Sequence, residues 1–387
     1  MKDQAAPGIE SNAGKPALYV AIELSLKKWK LAFSDGKTAR ARLVTIEAKD
    51  WNRLKMEIEK AKSRFGLAPT TPVRSCYEAG REGFWVHRAL TERGIDNVIV
   101  DAASIEVNRR SKHAKTDRMD AEKLVRQLIR YWGGEQGVWS VIRVPSAEAE
   151  DGRQLHRDME ILKREQHSHR GRIQSLLFTQ GIDVKVDSKF LKRLDQLRCW
   201  NGEPVPEQMK ARLEREYQRL KMAQVDQAKL KKQQQEQLKS SKTPATESVR
   251  LLKQLCGIGM TSSWTFVMEF FGWRQFKNRR QVASAMGITP MPYQSGGSSR
   301  EQGISRSGNR RVRAMAVEIA WSWLRLQPQS KLSRWYQTRF GGGGKRVRRI
   351  GIVALARRLM IDLWRYLETG LVPEGARLKV RATDSTC

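Results

Sequence analysis

The chain has 387 residues, room for two or three domains, and 73 Lys and Arg against 41 Asp and Glu give a formal net charge of +32. Such an excess sets up a long-range positive field that gathers polyanions. It excludes an ordinary enzyme of small-molecule substrates and puts nucleic acid first among partners. No apolar run approaches the roughly 20 residues that span a bilayer, and residues 1–16 lack a signal-peptide pattern. Cys76, Cys199, Cys256 and Cys387 are too scattered for a zinc site or a disulfide framework. The expectation is a protein of a reducing cytoplasm with no membrane partner.

Residues 17–25 read as a buried strand, 29–33 as a second and 42–46 as a third, together an antiparallel meander. Residues 50–65 have helical periodicity, with Trp51, Leu54, Ile58 and Ala61 on one face. A strand at 73–77, a helix at 82–93 and a strand at 97–101 follow. Residues 117–131 are helical again, through Ala121, Leu124, Val125 and Leu128. Strands in a meander and then alternating with helices predict a mixed sheet covered by helices over 17–135.

Between 145 and 180, Leu155, Met159, Leu162, Gln166, His169, Ile173 and Leu176 recur in steps of four and three. That spacing favours a helix that pairs with another, although Gln166 and His169 weaken the seam. Residues 207–240 form a second long helix with a thin apolar stripe at Leu213, Leu220, Ala223 and Leu230. Residues 136–245 are therefore expected to be a helical spacer, either a dimerising coiled coil or solvated helix. A globular region at 246–340 carries helices at 247–271 and 308–326. The Gly341 to Gly344 run reads as a flexible break, followed over 341–387 by a basic helix and a disordered end.

Four carboxylates stand out. Glu23 interrupts an apolar strand, where an unpaired charge is expensive. Glu78 follows the next long strand and precedes Gly80. Asp117 and Asp120 lie at i and i+3, on one face of a helix start that Thr116 can cap. Asp117 and Asp120 alone are compatible with ordinary helix N-terminal chemistry. As a set of four, the acids fit divalent magnesium or manganese, which takes oxygen ligands and can clamp the attacking and leaving oxygens of a phosphodiester.

Residues 287–297 read as a loop stiffened by Pro290 and Pro292 and ending in Ser295, Gly296 and Gly297. Glycine lets the backbone approach a phosphate closely, and a serine hydroxyl can attack phosphorus and hold it covalently. The alternative is a plain Ser/Gly surface loop. Arg306, Arg310, Arg311 and Arg313 follow as candidate phosphate partners. Arg109, Arg110, Lys112 and Lys115 precede the Asp pair and are further candidates for backbone contacts. Gly257 and Gly259, within Leu255 to Gly259, resemble the hairpin of helix-hairpin-helix modules, whose glycine N–H groups meet a phosphate.

Together these residues resemble the DEDD transposases of insertion-sequence family 110, the bridge-RNA-guided serine recombinases, over roughly residues 18–340. The resemblance rests on Tyr77 to Gly80, Lys115 to Ala121, Ser295 with its two glycines, Gly303 to Arg313, and Leu255 to Gly259. Two departures are visible: Glu23 stands where the family usually has Asp, and Cys256 replaces a proline.

The resemblance implies an α/β plus α architecture. A RuvC-like domain of ribonuclease H fold carries the metal ligands Glu23, Glu78, Asp117 and Asp120. A coiled coil and a mainly helical transposase domain with the nucleophile Ser295 follow. It implies an enzyme that joins double-stranded donor and target DNA under an element-encoded guide RNA, as a homodimer or homotetramer associated with the bacterial nucleoid. The competing expectations are a RuvC-like endonuclease of branched DNA and a non-catalytic nucleic-acid scaffold.

Overall fold

A computed structural model describes residues 15–105, 117–295 and 298–379. They fall into two compact units, Met1–Val144 and Pro145–Cys387.

In the first unit, the alternation of β1 (Leu18–Leu24) buries both of its faces. Leu18, Val20 and Ile22 enter one core, and Tyr19 and Ala21 enter another. β2 (Lys28–Ser34) pairs antiparallel with β1, and β3 (Arg42–Glu47) pairs antiparallel with β2. After α1 (Trp51–Arg64), β4 (Val73–Glu78) returns parallel to β1. After α2 (Trp85–Glu92), β5 (Asp96–Val100) lies parallel to β4. The sheet order is β3-β2-β1-β4-β5. Helices α1 and α2 cover the face of Leu18, Val20 and Ile22 through Leu54, Ile58, Val86 and Leu90. Helix α3 (Asp117–Trp132) covers the opposite face, where Ala21, Ala32 and Cys76 are small enough to admit it closely.

The second unit is mainly helical. It begins with α4 (Ala147–Asp151) and α5 (Gln154–Phe178), followed by α6 (Phe190–Leu194) and α7 (Glu207–Ser240). Helices α5 and α7 of the same chain pack antiparallel: Gln166 Nε2 donates to the Ala223 carbonyl at 3.1 Å, and His169 Nδ1 meets Glu216 Oε2 at 2.6 Å. Then come α8 (Pro244–Lys253), α9 (Met260–Phe266), a π-helical turn at Val267–Phe271, and α10 (Arg279–Met286). Within the helical stretch expected over 247–271, the glycine turn separates α8 from α9, with Gly257 at a positive φ of 87°.

Strands β6 (Pro290–Ser295) and β7 (Ser298–Ile304) form a two-stranded sheet. Helices α11 (Arg310–Leu326), α12 (Lys331–Tyr336) and α13 (Lys345–Thr369) complete the unit. Its core gathers Trp264, Phe266, Phe270 and Trp323 against Leu355, Leu359 and Leu363 of α13. The helix that reads as basic is thus also a core element. The Gly341 to Gly344 run is a short connection in which the Gly343 N–H reaches the Phe340 carbonyl at 3.1 Å. Of the expected disordered end, residues 377–379 are ordered: Leu378 bridges to Leu255, and Lys379 Nζ donates to the Ile258 carbonyl at 2.7 Å. No described helix is long and apolar enough to cross a membrane.

Candidate active site

The register of the first sheet brings two of the predicted acids, Glu23 and Glu78, to the same end of neighbouring strands. Ile22 pairs with Tyr77 in the parallel β1–β4 ladder, so one step further Glu23 stands abreast of Glu78. By strand alternation both share the face of Tyr19, Ala21 and Cys76, which α3 covers. Helix α3 runs antiparallel to these strands. The Arg74 guanidinium lies 4.3 Å from the Trp132 ring near the helix end, and Cys76 Sγ is 4.0 Å from the Leu124 carbonyl mid-helix.

From Cys76 to Glu78 the strand advances about 7 Å. From Leu124 back to Asp120 the helix advances about 6 Å. The first turn of α3, with Asp117 and Asp120, is thus level with Glu78 and Glu23. Glu23 and Asp120 are half-buried and Glu78 is exposed. Glu23 is the penultimate residue of β1, at the rim of the sheet.

Among the described residues, no three His, Cys, Asp or Glu side chains already converge as a metal cluster. The backbone of Asp117 opens α3, but its side chain lies outside the described set, as do Arg109, Arg110, Lys112 and Lys115. One neighbour of these strand ends carries no signal of its own in the sequence. Lys30 is the cross-strand partner of Glu23, and counting residues back across the β1–β2 turn would have found it.

Ser295 is the last residue of β6 and pairs with Ser298, the first of β7. The expected loop is a β-hairpin; Gly296 and Gly297 lie outside the described residues. Pro290 and Pro292 lack an N–H but are tolerated because the register shifts between them and the sheet has only two strands, both edges. Side chains of residues 292–302 are outside the description, so the serine is located by its backbone alone.

The base of the hairpin is tightly built. Ser305 N–H donates to the Thr289 carbonyl and Arg306 N–H to the Gly287 carbonyl, both at 3.0 Å. Arg313 Nη1 donates to the carbonyls of Met286 (3.1 Å) and Arg306 (3.0 Å). Gly287 has φ 69°, and a Cβ there would lie 1.8 Å from the Ser307 carbonyl oxygen. Of the downstream cations, Arg313 is therefore spent on the hairpin base. Arg311 Nε donates to Glu160 Oε2 at 2.9 Å, whereas Arg306 and Arg310 are exposed. In the glycine turn, the Gly259 N–H donates to Ser262 Oγ at 2.9 Å, and Gly257 packs on Leu326 of α11.

One site residue went unread in the sequence. Glu269 sits in the π-helical turn, fully buried. Arg157 holds it with two bonds, Nε to Oε1 at 2.7 Å and Nη2 to Oε2 at 2.9 Å. His156 Nε2 lies 2.9 Å from Oε1, and Asn309 Nδ2 donates to Oε2 at 3.0 Å. Burial pushes the carboxyl pKa up, but the bonds from His156, Arg157 and Asn309 outweigh it and hold Glu269 far below the usual carboxylate range. The signal was available: a lone charge inside the run Trp264 to Phe271 must be paired if buried.

Comparison with known proteins adds an independent line. Residues 249–334, which include the glycine turn, the hairpin and α11, match the transposase family IS116/IS110/IS902. Two relatives in Sinorhizobium fredii (strain NBRC 101917 / NGR234), y4rJ and y4qE, carry provisional transposase names. The chain is 36% identical to y4rJ over 385 residues, covering 94% of this chain and 95% of the relative. Identity to y4qE is 23% over 248 residues, 64% of this chain and 58% of that relative. Since that similarity to y4rJ runs nearly end to end and the family match covers the serine hairpin, the chain belongs to the IS116/IS110/IS902 family of transposases.

Proposed function

We propose that this transposase is an RNA-guided DNA recombinase whose first unit is a RuvC-like domain and whose nucleophile is Ser295. The observation that supports the reading is that the first turn of α3 lies level with the strand ends that carry Glu23 and Glu78. It occurs in a sheet of order β3-β2-β1-β4-β5, the strand order of a ribonuclease H fold.

The acidic edge offers only oxygen donors, which suits magnesium or manganese. Glu23, Glu78, Asp117 and Asp120 would hold the ion, and the bound ion would neutralise charge on a phosphodiester. The residues of this chain do the rest. Ser295 Oγ attacks phosphorus, the bond from phosphorus to the 3′ oxygen breaks, and the serine proton is taken up as the 3′ hydroxyl leaves. The product is a 5′-phosphoserine link, whose reversal by a different 3′ hydroxyl joins donor to target. Arg306 and Arg310, exposed at the foot of the hairpin, are the cations free to meet the strand. Partner subunits in a dimer or tetramer would bring acid and serine to one phosphate.

Guidance is tested by incubating protein, donor DNA, target DNA and magnesium with and without RNA transcribed from the element ends. Joined product should require the RNA, and changing its target-pairing segment should redirect joining. Joining without RNA, or at an unchanged site, would remove the guide from the account. A structure-specific nuclease is the second reading, favoured because all four acids belong to one compact unit by themselves. It predicts cleavage of branched DNA that survives Ser295→Ala.

A further inference from the structure

A cavity of about 1200 Å³ opens between α10, α12 and α13. Its cations come from separate elements: Arg279 and Arg280 from the first turn of α10, and Arg357 and Arg358 from α13. Two further cations on its wall are already neutralised, Lys331 by Glu374 at 2.6 Å and Arg365 by Asp362 at 3.6 Å. Arg279, Arg280, Arg357 and Arg358 form no ion pair within 4.0 Å among the described residues. Four arginines without a direct ion pair around one concavity, with Asp362 the nearby acid shared by Arg358 and Arg365, leave a net positive charge that calls for a polyanion.

The lining is not only cationic. Trp335 stands in the wall with the Arg358 guanidinium 3.9 Å from its ring centre, and the exposed Leu371 and Val372 also line the cavity. A duplex presents phosphates and hides its base faces, so apolar and aromatic lining would gain nothing from it. A single strand presents both, and the combination of charged groove and aromatic platform is what such strands bind. Thr289 also lines the cavity and is the residue directly before β6, so the groove abuts the foot of the serine hairpin.

We propose that this groove holds a single-stranded nucleic acid segment, its phosphates on Arg279, Arg280, Arg357 and Arg358 and its bases against Trp335. The site goes beyond the recombination reading and does not depend on Ser295 being a nucleophile.

The test uses the full chain with Arg279→Glu and Arg280→Glu combined. Both positions are exposed at a helix N-terminus, where acidic side chains are favourable, so the fold is spared. Fluorescence anisotropy is recorded with oligomers of about 12 nucleotides as single-stranded DNA, single-stranded RNA and duplex. A control of equal charge change, Lys231→Glu with Lys239→Glu on α7, corrects for net charge.

Single-strand affinity should fall about tenfold or more relative to the control, and the salt slope should shrink by about 1.4, two phosphate contacts at roughly 0.7 each. Duplex affinity should change no more than in the control. Trp335→Ala should weaken single-strand binding about tenfold and leave duplex binding as in the control. Whichever of DNA or RNA loses more identifies the strand. No loss beyond the control, or equal loss for duplex and single strand, overturns the assignment.

Discussion

Asn309 Nδ2 donates to Glu269 Oε2 at 3.0 Å, while Asn309 Oδ1 accepts from the backbone N–H groups of Arg311 and Val312. One side chain thus caps α11 and fastens that cap to a buried carboxylate. The same carboxylate is gripped from α5 by His156 and Arg157. The hairpin that ends in Ser295 and Ser298 rises from this node, since Asn309 N–H also binds the Ala285 carbonyl at 3.3 Å, in the α10 turn just before it.

Replacing Glu269 by Gln keeps the shape but removes the charge that Arg157 faces. Breaking a buried pair from one side costs about 3 kcal/mol, so the urea midpoint should drop accordingly. The pH dependence follows from the sign of the shift. The folded-state pKa lies far below the ordinary 4.5, so the stabilisation is complete above that value and declines as pH falls below it. Wild type should lose stability in that acidic window, and Glu269→Gln should lose less.

Asn309→Ala removes a cap worth about 1 kcal/mol and a bond to a charged acceptor worth about 1.5–3 kcal/mol. Asn309→Asp keeps the cap but sets a second carboxylate against Glu269. The aspartate variant should therefore be no more stable than the alanine variant, although aspartate is normally as good a cap as asparagine. Thermal unfolding of the two variants side by side checks this.

Gly287→Ala meets two obstacles, a left-handed backbone and a Cβ 1.8 Å from the Ser307 carbonyl oxygen. The strands must separate at their foot, at a cost of about 2–4 kcal/mol. Limited proteolysis should cut within 287–308 sooner than in wild type. Gly303→Ala has φ 81° but open space around it, so it should show only the backbone penalty of about 1 kcal/mol.

Much of the first unit was legible because β1 is a short apolar run buried on both faces, and α1 and α3 keep apolar residues at helical spacing. Among the candidate acids, Glu23 stands out because it interrupts an apolar strand and Asp117 because it opens a helix. Where reading failed, distance in sequence is the reason. Glu269 is paired by residues 112 and 113 positions away, and no local pattern announces such partners. Gln166 and His169 looked like flaws in an apolar seam. They are instead matched by the Ala223 carbonyl and by Glu216, whose carboxyl is held below its usual range chiefly by the His169 hydrogen bond. The hairpin at 290–304 was hidden because two prolines argue against strand, and only the shift in register makes room for them. The core role of α13 was masked by the basic run at its start.

The most direct measurement is denaturing electrophoresis after incubation with donor DNA, target DNA, magnesium and element RNA. The account predicts a slow-migrating protein–DNA species that is absent in Ser295→Ala. In Glu78→Gln it should form about a hundredfold more slowly, the effect of losing about 2.7 kcal/mol of metal-borne charge stabilisation. An adduct that persists in Ser295→Ala, or none from the wild-type protein with matched RNA, would contradict it.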